Sequence, residues 1–122
     1  LCIEDDTLVP PDTWTRLSAL LDKGYTAASG VQYARHETKL PGIWYFNREA
    51  GIMDVFVPEQ VCEAAAVGLY CLMTTGLEYG LRAIQPQPDE PIDCAQTRPF
   101  APIAVDPAVL CGHLLESGEV IV

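Results

Sequence analysis

The chain has 122 residues, 49% of them hydrophobic, which is enough for one core and too few for two. Its 17 acidic residues against 7 basic ones give a formal charge of −10, and both nucleic acid and anionic membranes need a basic footprint that is missing here. No run approaches the ~18 apolar residues of a membrane-spanning helix, so no transmembrane segment is expected.

Leu1-Cys2-Ile3 is a short apolar run that ends in Glu4-Asp5-Asp6 and then a turn with Pro10 and Pro11. Such a run, bounded by turn signals, reads as a buried strand. In open α/β sheets ligands collect just beyond the carboxyl ends of strands. Three adjacent carboxylates repel one another, and a hard divalent cation such as Mg²⁺ or Mn²⁺, which takes oxygen ligands, would relieve them. The plainer alternative is a solvated acidic turn. Next, Asp12 or Thr13 caps a helix that carries Trp14, Leu17, Leu20 and Leu21 on one face and stops at Gly24. Tyr25 to Tyr33 follows as a strand, with Gly30 a bend or bulge. Strand, acidic turn, helix and strand make an α/β unit.

Arg35 to Gly42 reads as a loop, in which His36 has no visible partner. Ile43-Trp44-Tyr45-Phe46 and Ile52 to Val57 flank a turn, so the pair suits a β-hairpin or an arm carrying aromatic side chains. Ala64 to Met73 is the longest near-apolar stretch and reads as a buried strand interrupted at Gly68, where a backbone approaches something closely. Thr74 or Thr75 then caps a short helix through Leu77 and Leu81. Gln85 to Pro91 is a proline-rich loop, and Ile92 to Thr97 gives one or two helical turns before Pro99. Ile103 to Val105 and Ala108 to Cys111 are short strands around an Asp106-Pro107 turn, with Gly112-His113 directly after. With no repeat and no linker, residues 1–122 form a single domain.

The five cysteines Cys2, Cys62, Cys71, Cys94 and Cys111 are scattered without a CxxC pair. Neither a zinc ribbon nor a thioredoxin motif is signalled, and a reducing, cytoplasmic setting is expected. Cys111 and His113 are two potential zinc ligands without a second pair, which is a weak signal.

Taken in order, the acidic triplet after a strand, the strand glycine, the second acidic loop and the late histidine resemble the catalytic half of a GT-A-fold glycosyltransferase of the large inverting family 2. Asp6-Thr7-Leu8-Val9-Pro10-Pro11-Asp12-Thr13-Trp14 resembles the family's DxD-type motif with its prolyl turn and helix. Ala65 to Met73 resembles its glycine loop beside the acceptor, and Asp106 to Leu114 its closing segment, whose histidine can reach the metal. The resemblance spans most of residues 1–114. It implies a partial GT-A, Rossmann-like mixed sheet with flanking helices. It also implies Mn²⁺ or Mg²⁺ held by Glu4, Asp6 and His113, with Asp5, Gly68 and Trp44 at the substrates. Two departures stand out. The family's Asp-rich "ED" motif falls on Asp89-Glu90-Pro91-Ile92-Asp93-Cys94, with Pro91 at the usual place of the catalytic Asp. Glu90 or Asp93 must then supply the base, or the site is impaired. The strands that hold the nucleobase and ribose would precede Leu1, so the chain alone is expected to be an incompetent transferase, marginally stable or self-associating.

The chemistry suits these residue types. A divalent ion neutralises the leaving diphosphate of a nucleotide sugar as a Lewis acid, and a general base takes the proton of an acceptor hydroxyl, an effect worth about 10²–10⁴ in rate. The implied partners are a nucleotide-sugar donor and a saccharide or other hydroxyl acceptor. Two rival functions remain open. One is a non-catalytic or truncated transferase-like domain that binds a saccharide or a partner protein. The other is a metal-dependent nucleotidyltransferase, which would want more basic residues near its phosphates.

Overall fold

The stretch Ala27-Ala28-Ser29-Gly30-Val31-Gln32 is buried along its whole length, with a strand paired on each of its edges and an apolar cluster on each of its faces. The computed structural model describes residues 1–34, 40–75, 86 and 88–122. In chain order these form β1 (Cys2–Ile3), β2 (Thr7–Leu8), α1 (Thr13–Asp22), β3 (Ala27–Gln32), β4 (Ile43–Asn47), β5 (Ile52–Val55), β6 (Cys62–Ala64), β7 (Ala66–Val67), β8 (Cys71–Thr74), α2 (Ile92–Thr97), β9 (Ile103–Leu114) and β10 (Val120–Ile121). A 3₁₀ turn, Arg98–Phe100, follows α2.

The main sheet runs β1-β8-β3-β9-β10, and β2 and β6 also pair with β9. Only β3 with β9 is parallel; the other ladders are antiparallel. A second, three-stranded sheet runs β5-β4-β7. The class is therefore mixed α/β, as expected, but rich in strands, with two short helices among the described residues. None of the described helices is long and apolar enough to cross a membrane. The helix expected through Leu77 and Leu81, and the loop with His36, lie outside the described residues.

Each face of the main sheet has its own apolar cluster. On one side Leu17 and Leu20 of α1 pack with Ala28, Tyr70, Cys71, Met73, Ala104, Val109 and Cys111. On the other, Val31, Leu72, Ile103 and Val105 meet Ile43 and Val67 of the small sheet. The buried stripe of α1 is Thr13, Leu17 and Leu20, while Trp14 is 64% exposed, which corrects the expectation that it faces the core. The first turn is anchored by Thr13, whose hydroxyl donates to the Pro10 carbonyl at 2.7 Å, and this rotates Trp14 outward. Asp12 holds the cap position without capping; its carboxylate pairs with Arg16 at 2.6 Å instead.

Three further expectations need correction. Leu1-Cys2-Ile3 holds a strand but not a buried one: β1 lies at the edge of the main sheet beside β8, and all three residues are exposed. Asp106-Pro107 does not separate two strands: β9 runs on through it and absorbs the extra residues as a bulge. Ser29 pairs with Val105, and Val31 already pairs with Leu110. Asp106 Oδ1 accepts the Ala108 N–H at 2.9 Å, the local bond that lets the strand bow out. Gly30 lies against this bulge, as its bend reading anticipated, and a Cβ there would come within 2.5 Å of the Val109 carbonyl oxygen. The apolar run Ala64 to Met73 is indeed interrupted at Gly68, but its pieces go to different partners. With Cys62 and Glu63 it supplies β6 to β9, then β7 to β4, then β8 to β3 and β1. The hairpin is realised as β4 and β5, with Trp44 opposite Val55 and Phe46 opposite Met53.

Candidate functional site

Strand β1 ends at the three acids. The Glu4 N–H donates to the Tyr70 carbonyl at 3.2 Å, and the Thr7 N–H donates back to the Glu4 carbonyl at 3.1 Å. That closes a turn with Asp5 and Asp6 at its centre, so the strand alternation that would put Glu4 and Asp6 on one face does not apply. Leaving the turn, β2 runs antiparallel to β9 with Thr7 opposite His113. The Leu114 N–H donates to the Asp6 carbonyl at 2.7 Å. The acidic turn from the start of the sequence and His113 from its end thus lie on neighbouring rungs of one ladder.

The imidazole of His113 is held by the Tyr33 carbonyl, 3.1 Å from Nε2. A carbonyl oxygen can only accept, so Nε2 carries the proton of the neutral ring and Nδ1 keeps a lone pair. Nδ1 is buried and, among the described residues, has no hydrogen-bond partner. Metal-ligating histidines are commonly oriented in this way, by a second-ring N–H donated to a backbone carbonyl.

Gly68 forms the next wall. Its N–H donates to the Gly42 carbonyl at 2.7 Å, and a Cβ on it would meet the Tyr70 ring at 2.7 Å and Asp93 Oδ2 at 3.7 Å. Asp93 Oδ2 accepts the Leu69 N–H at 3.3 Å. A continuous set of contacts therefore runs from Asp93 through Leu69 and Tyr70 to Glu4, and on through Asp6 and Leu114 to His113. Glu90 sits apart from this set. Its side chain is 6% exposed and its Oε2 lies 3.1 Å from Arg98 Nε, an ion pair in which the Nε–H is not aimed at the oxygen. Trp44 is half-buried on β4, opposite Ala66 of β7, while Tyr45 stacks edge-on against Phe56 with ring centres 6.0 Å apart.

Among the described residues no three His, Cys, Asp or Glu side chains converge closely enough to hold a metal ion by themselves. Cys62, Cys94 and Cys111 are not poised nucleophiles, whereas the hydrogen bond with Cys111 lowers Cys71, which is fully buried. Burial pushes Cys62 up; burial, then the Glu90 carboxylate, pushes Cys94 up to about 11; and its hydrogen bond with Cys71, then burial, pushes Cys111 up.

Three polar residues that position the site escaped the sequence reading. Gln32 is buried, and its Nε2 donates to Thr7 Oγ1 at 3.1 Å and to the Gly112 carbonyl at 3.3 Å, tying β3 to both strands of the acid–histidine ladder. Thr97 Oγ1 accepts the Val67 N–H at 2.9 Å and lies 2.7 Å from the Val67 carbonyl, which fixes α2 against the segment before Gly68. Tyr70 is buried and donates its hydroxyl to the Gly30 carbonyl at 2.9 Å; burial holds that phenol well above its ordinary range. A polar residue inside an apolar run was the available signal for Gln32; Thr97, between Gln96 and Arg98, carried none. An open depression of about 540 Å³, lined by Lys23, Gly24, Tyr25, Thr26, Ala101 and Pro102, lies at the opposite end of β3 and β9 from these residues.

Compared with protein-family models, with curated proteins and with solved structures, the chain matches none.

Proposed function

We propose that the chain is a metal-dependent glycosyltransferase domain, similar to the GT-A-fold family 2 enzymes, that moves a sugar from a nucleotide-sugar donor to an acceptor hydroxyl with inversion. One observation carries the reading. The strand that leaves the acidic turn pairs Thr7 with His113, and the Asp6 carbonyl accepts the Leu114 N–H, so the turn adjoins the segment of His113, whose Nδ1 is buried without a hydrogen-bond partner among the described residues. Glu4, Asp6 and His113 do not converge on one point as they stand; their side chains would have to draw together to hold Mn²⁺ or Mg²⁺, with the remaining positions falling to substrate oxygens and water. When bound, such an ion supplies a Lewis acid for the leaving diphosphate. Asp5, in the centre of the turn, is assigned to the donor ribose.

The Tyr70 ring fills the space beside Gly68, so the acceptor is assigned to the Asp93 side of that contact, with Trp44 offering an aromatic surface to it. Of the two candidate bases Asp93 is favoured, because Glu90 is engaged by Arg98 whereas Asp93 borders Gly68. Its carboxylate takes the acceptor proton as that oxygen bonds to the anomeric carbon and the bond to the diphosphate breaks, so the electron pair leaves with the diphosphate. The second reading is a non-catalytic saccharide-binding domain. It is favoured by the buried Glu90–Arg98 pair beside Pro91 and by the lack of a three-ligand cluster among the described residues.

Calorimetric titration with Mn²⁺ and UDP separates the two. Mutual enhancement of binding, lost in both Asp6→Ala and His113→Ala, is the result expected of the transferase. Metal binding without nucleotide enhancement, or Mn²⁺ binding unchanged in these variants, would defeat it.

A further inference from the structure

The corner of the main sheet formed by β2, the end of β9 and β10 has an aliphatic outward face. Its register dictates this. Leu8 lies opposite Gly112 and Val120 opposite Leu114, and both opposed residues and residues two apart on a strand share a face. Leu8, Leu110, Leu114, Val120 and Val122 therefore project to one side, with exposures of 45, 39, 38, 46 and 65%. Gly112 lies at the centre, and the side chains of Val120 and Val122 fold over it: a Cβ there would stand 2.7 Å from Val120 Cγ1 and 3.6 Å from Val122 Cγ2. The reverse face carries Thr7, Cys111 and His113, buried or half-buried, and Ile121, opposite His113, which is 36% exposed at its edge. An antiparallel sheet with one face on the core normally turns polar residues to water, and here the pattern is inverted. The exposed aliphatic surface amounts to roughly 400 Å², the size of the largest patch on a typical monomer, which is often functional.

We propose that this face is the contact between two copies of the chain, packed sheet on sheet about a two-fold axis that runs across the strands. A flat aliphatic sheet face is its own complement, as an isologous contact requires. Apolar atoms make up about 60% of a typical interface, so two such faces with their rims would bury about 1,300 Å², near the lower end of stable interfaces. Charge selects the orientation. Glu4 and Asp5 of the acidic turn and Glu116 and Glu119 of the β9–β10 turn lie at the same end of these strands, since the Leu114 N–H reaches the Asp6 carbonyl and the Leu115 N–H the Glu119 carbonyl. An axis across the strands sends the two acidic ends to opposite ends of the interface, so a chain of charge −10 meets its copy without stacking carboxylates on carboxylates.

Sedimentation equilibrium from micromolar to millimolar protein tests this. The expected result is a rise in mass from 13.3 kDa to twice that value, strengthened by added salt, because screening removes the residual repulsion between the acidic ends. Val120→Lys and Val122→Lys should each weaken association at least about tenfold, while Phe46→Ser, on the hairpin, leaves it unchanged. Both face positions are exposed, and circular dichroism checks that each variant folds. A chain that stays monomeric at every concentration overturns the proposal, as does association that survives both lysine variants or is lost in Phe46→Ser.

Discussion

Replacing Thr97 with valine keeps the shape of the side chain and removes one oxygen on which the candidate site depends. Thr97 is fully buried, as is Val67 beside it. Its Oγ1 accepts the Val67 N–H at 2.9 Å, and its single proton goes to the Val67 carbonyl at 2.7 Å or to the Asp93 carbonyl at 3.0 Å. Valine orphans the Val67 N–H, which costs about 1–3 kcal/mol, and removes a donated bond worth about 0.5–1.5 kcal/mol. The expected loss is therefore about 2–4 kcal/mol, a large share of a small domain's stability of ~5–15 kcal/mol. Thr97→Ser retains the oxygen and loses one methyl group, for about 1 kcal/mol. Urea unfolding of the two variants, at unchanged dependence on denaturant, measures the difference. A valine variant as stable as the serine variant would refute the reasoning, because burial and volume alone favour valine.

Gly30→Ala should cost at least about 2 kcal/mol, because the new Cβ would meet the Val109 carbonyl at 2.5 Å and Val109 Cγ1 at 2.6 Å in the middle of the sheet. At Gly24, where φ is +107° and no atom lies within 4 Å, alanine meets only backbone strain of ~1 kcal/mol, and thermal melts of the two should rank accordingly. Cys94 makes alkaline stability diagnostic: its thiol is pushed up to about 11 from 9.0. Its contribution is intact below pH 9.0 and is lost as pH rises through about 11. The melting temperature of Cys94→Ala should therefore fall less steeply across that window than that of the parent chain. Where sugar transfer is measurable, Asp93→Asn should lower turnover far more than Glu90→Gln, and equal losses would place the base elsewhere.

Local chemistry explains which parts of the fold were readable. The α1 boundaries, the β4–β5 hairpin and the bend at Gly30 rest on signals carried within a few residues: an apolar period, a turn between two β-rich runs, a glycine in a strand. Trp14 was misplaced because helical period alone fixes which residues share a stripe, whereas the Thr13–Pro10 hydrogen bond fixes how that stripe is rotated against the sheet. Ala64 to Met73 has no alternation to decode, since both of its faces are buried, and so its division among three strand partners is a tertiary matter. The nearness of the acidic turn to His113 followed only from the family resemblance, because nothing local to either segment specifies a pairing across most of the chain. Of the two residues that hold these segments in place, Gln32 is recognisable as a polar residue in an apolar setting, whereas Thr97 sits between Gln96 and Arg98 and its burial is a tertiary matter.

The role of β9 as common partner of β2, β3, β6 and β10 bears on how the chain is made. The ladder beside the acidic turn joins Thr7 and Leu8 to His113 and Gly112, about as long a loop as this sequence can close. Loop closure on that scale is slow, and sheets dominated by such pairings fold in milliseconds to seconds. Until the ribosome has released Ile103–Leu114, β2 has no strand to pair with, β3 lacks one edge, and the acids stand in unorganised polypeptide. Until β9 is available, β3, buried in the fold but half-paired, is a site for misassociation.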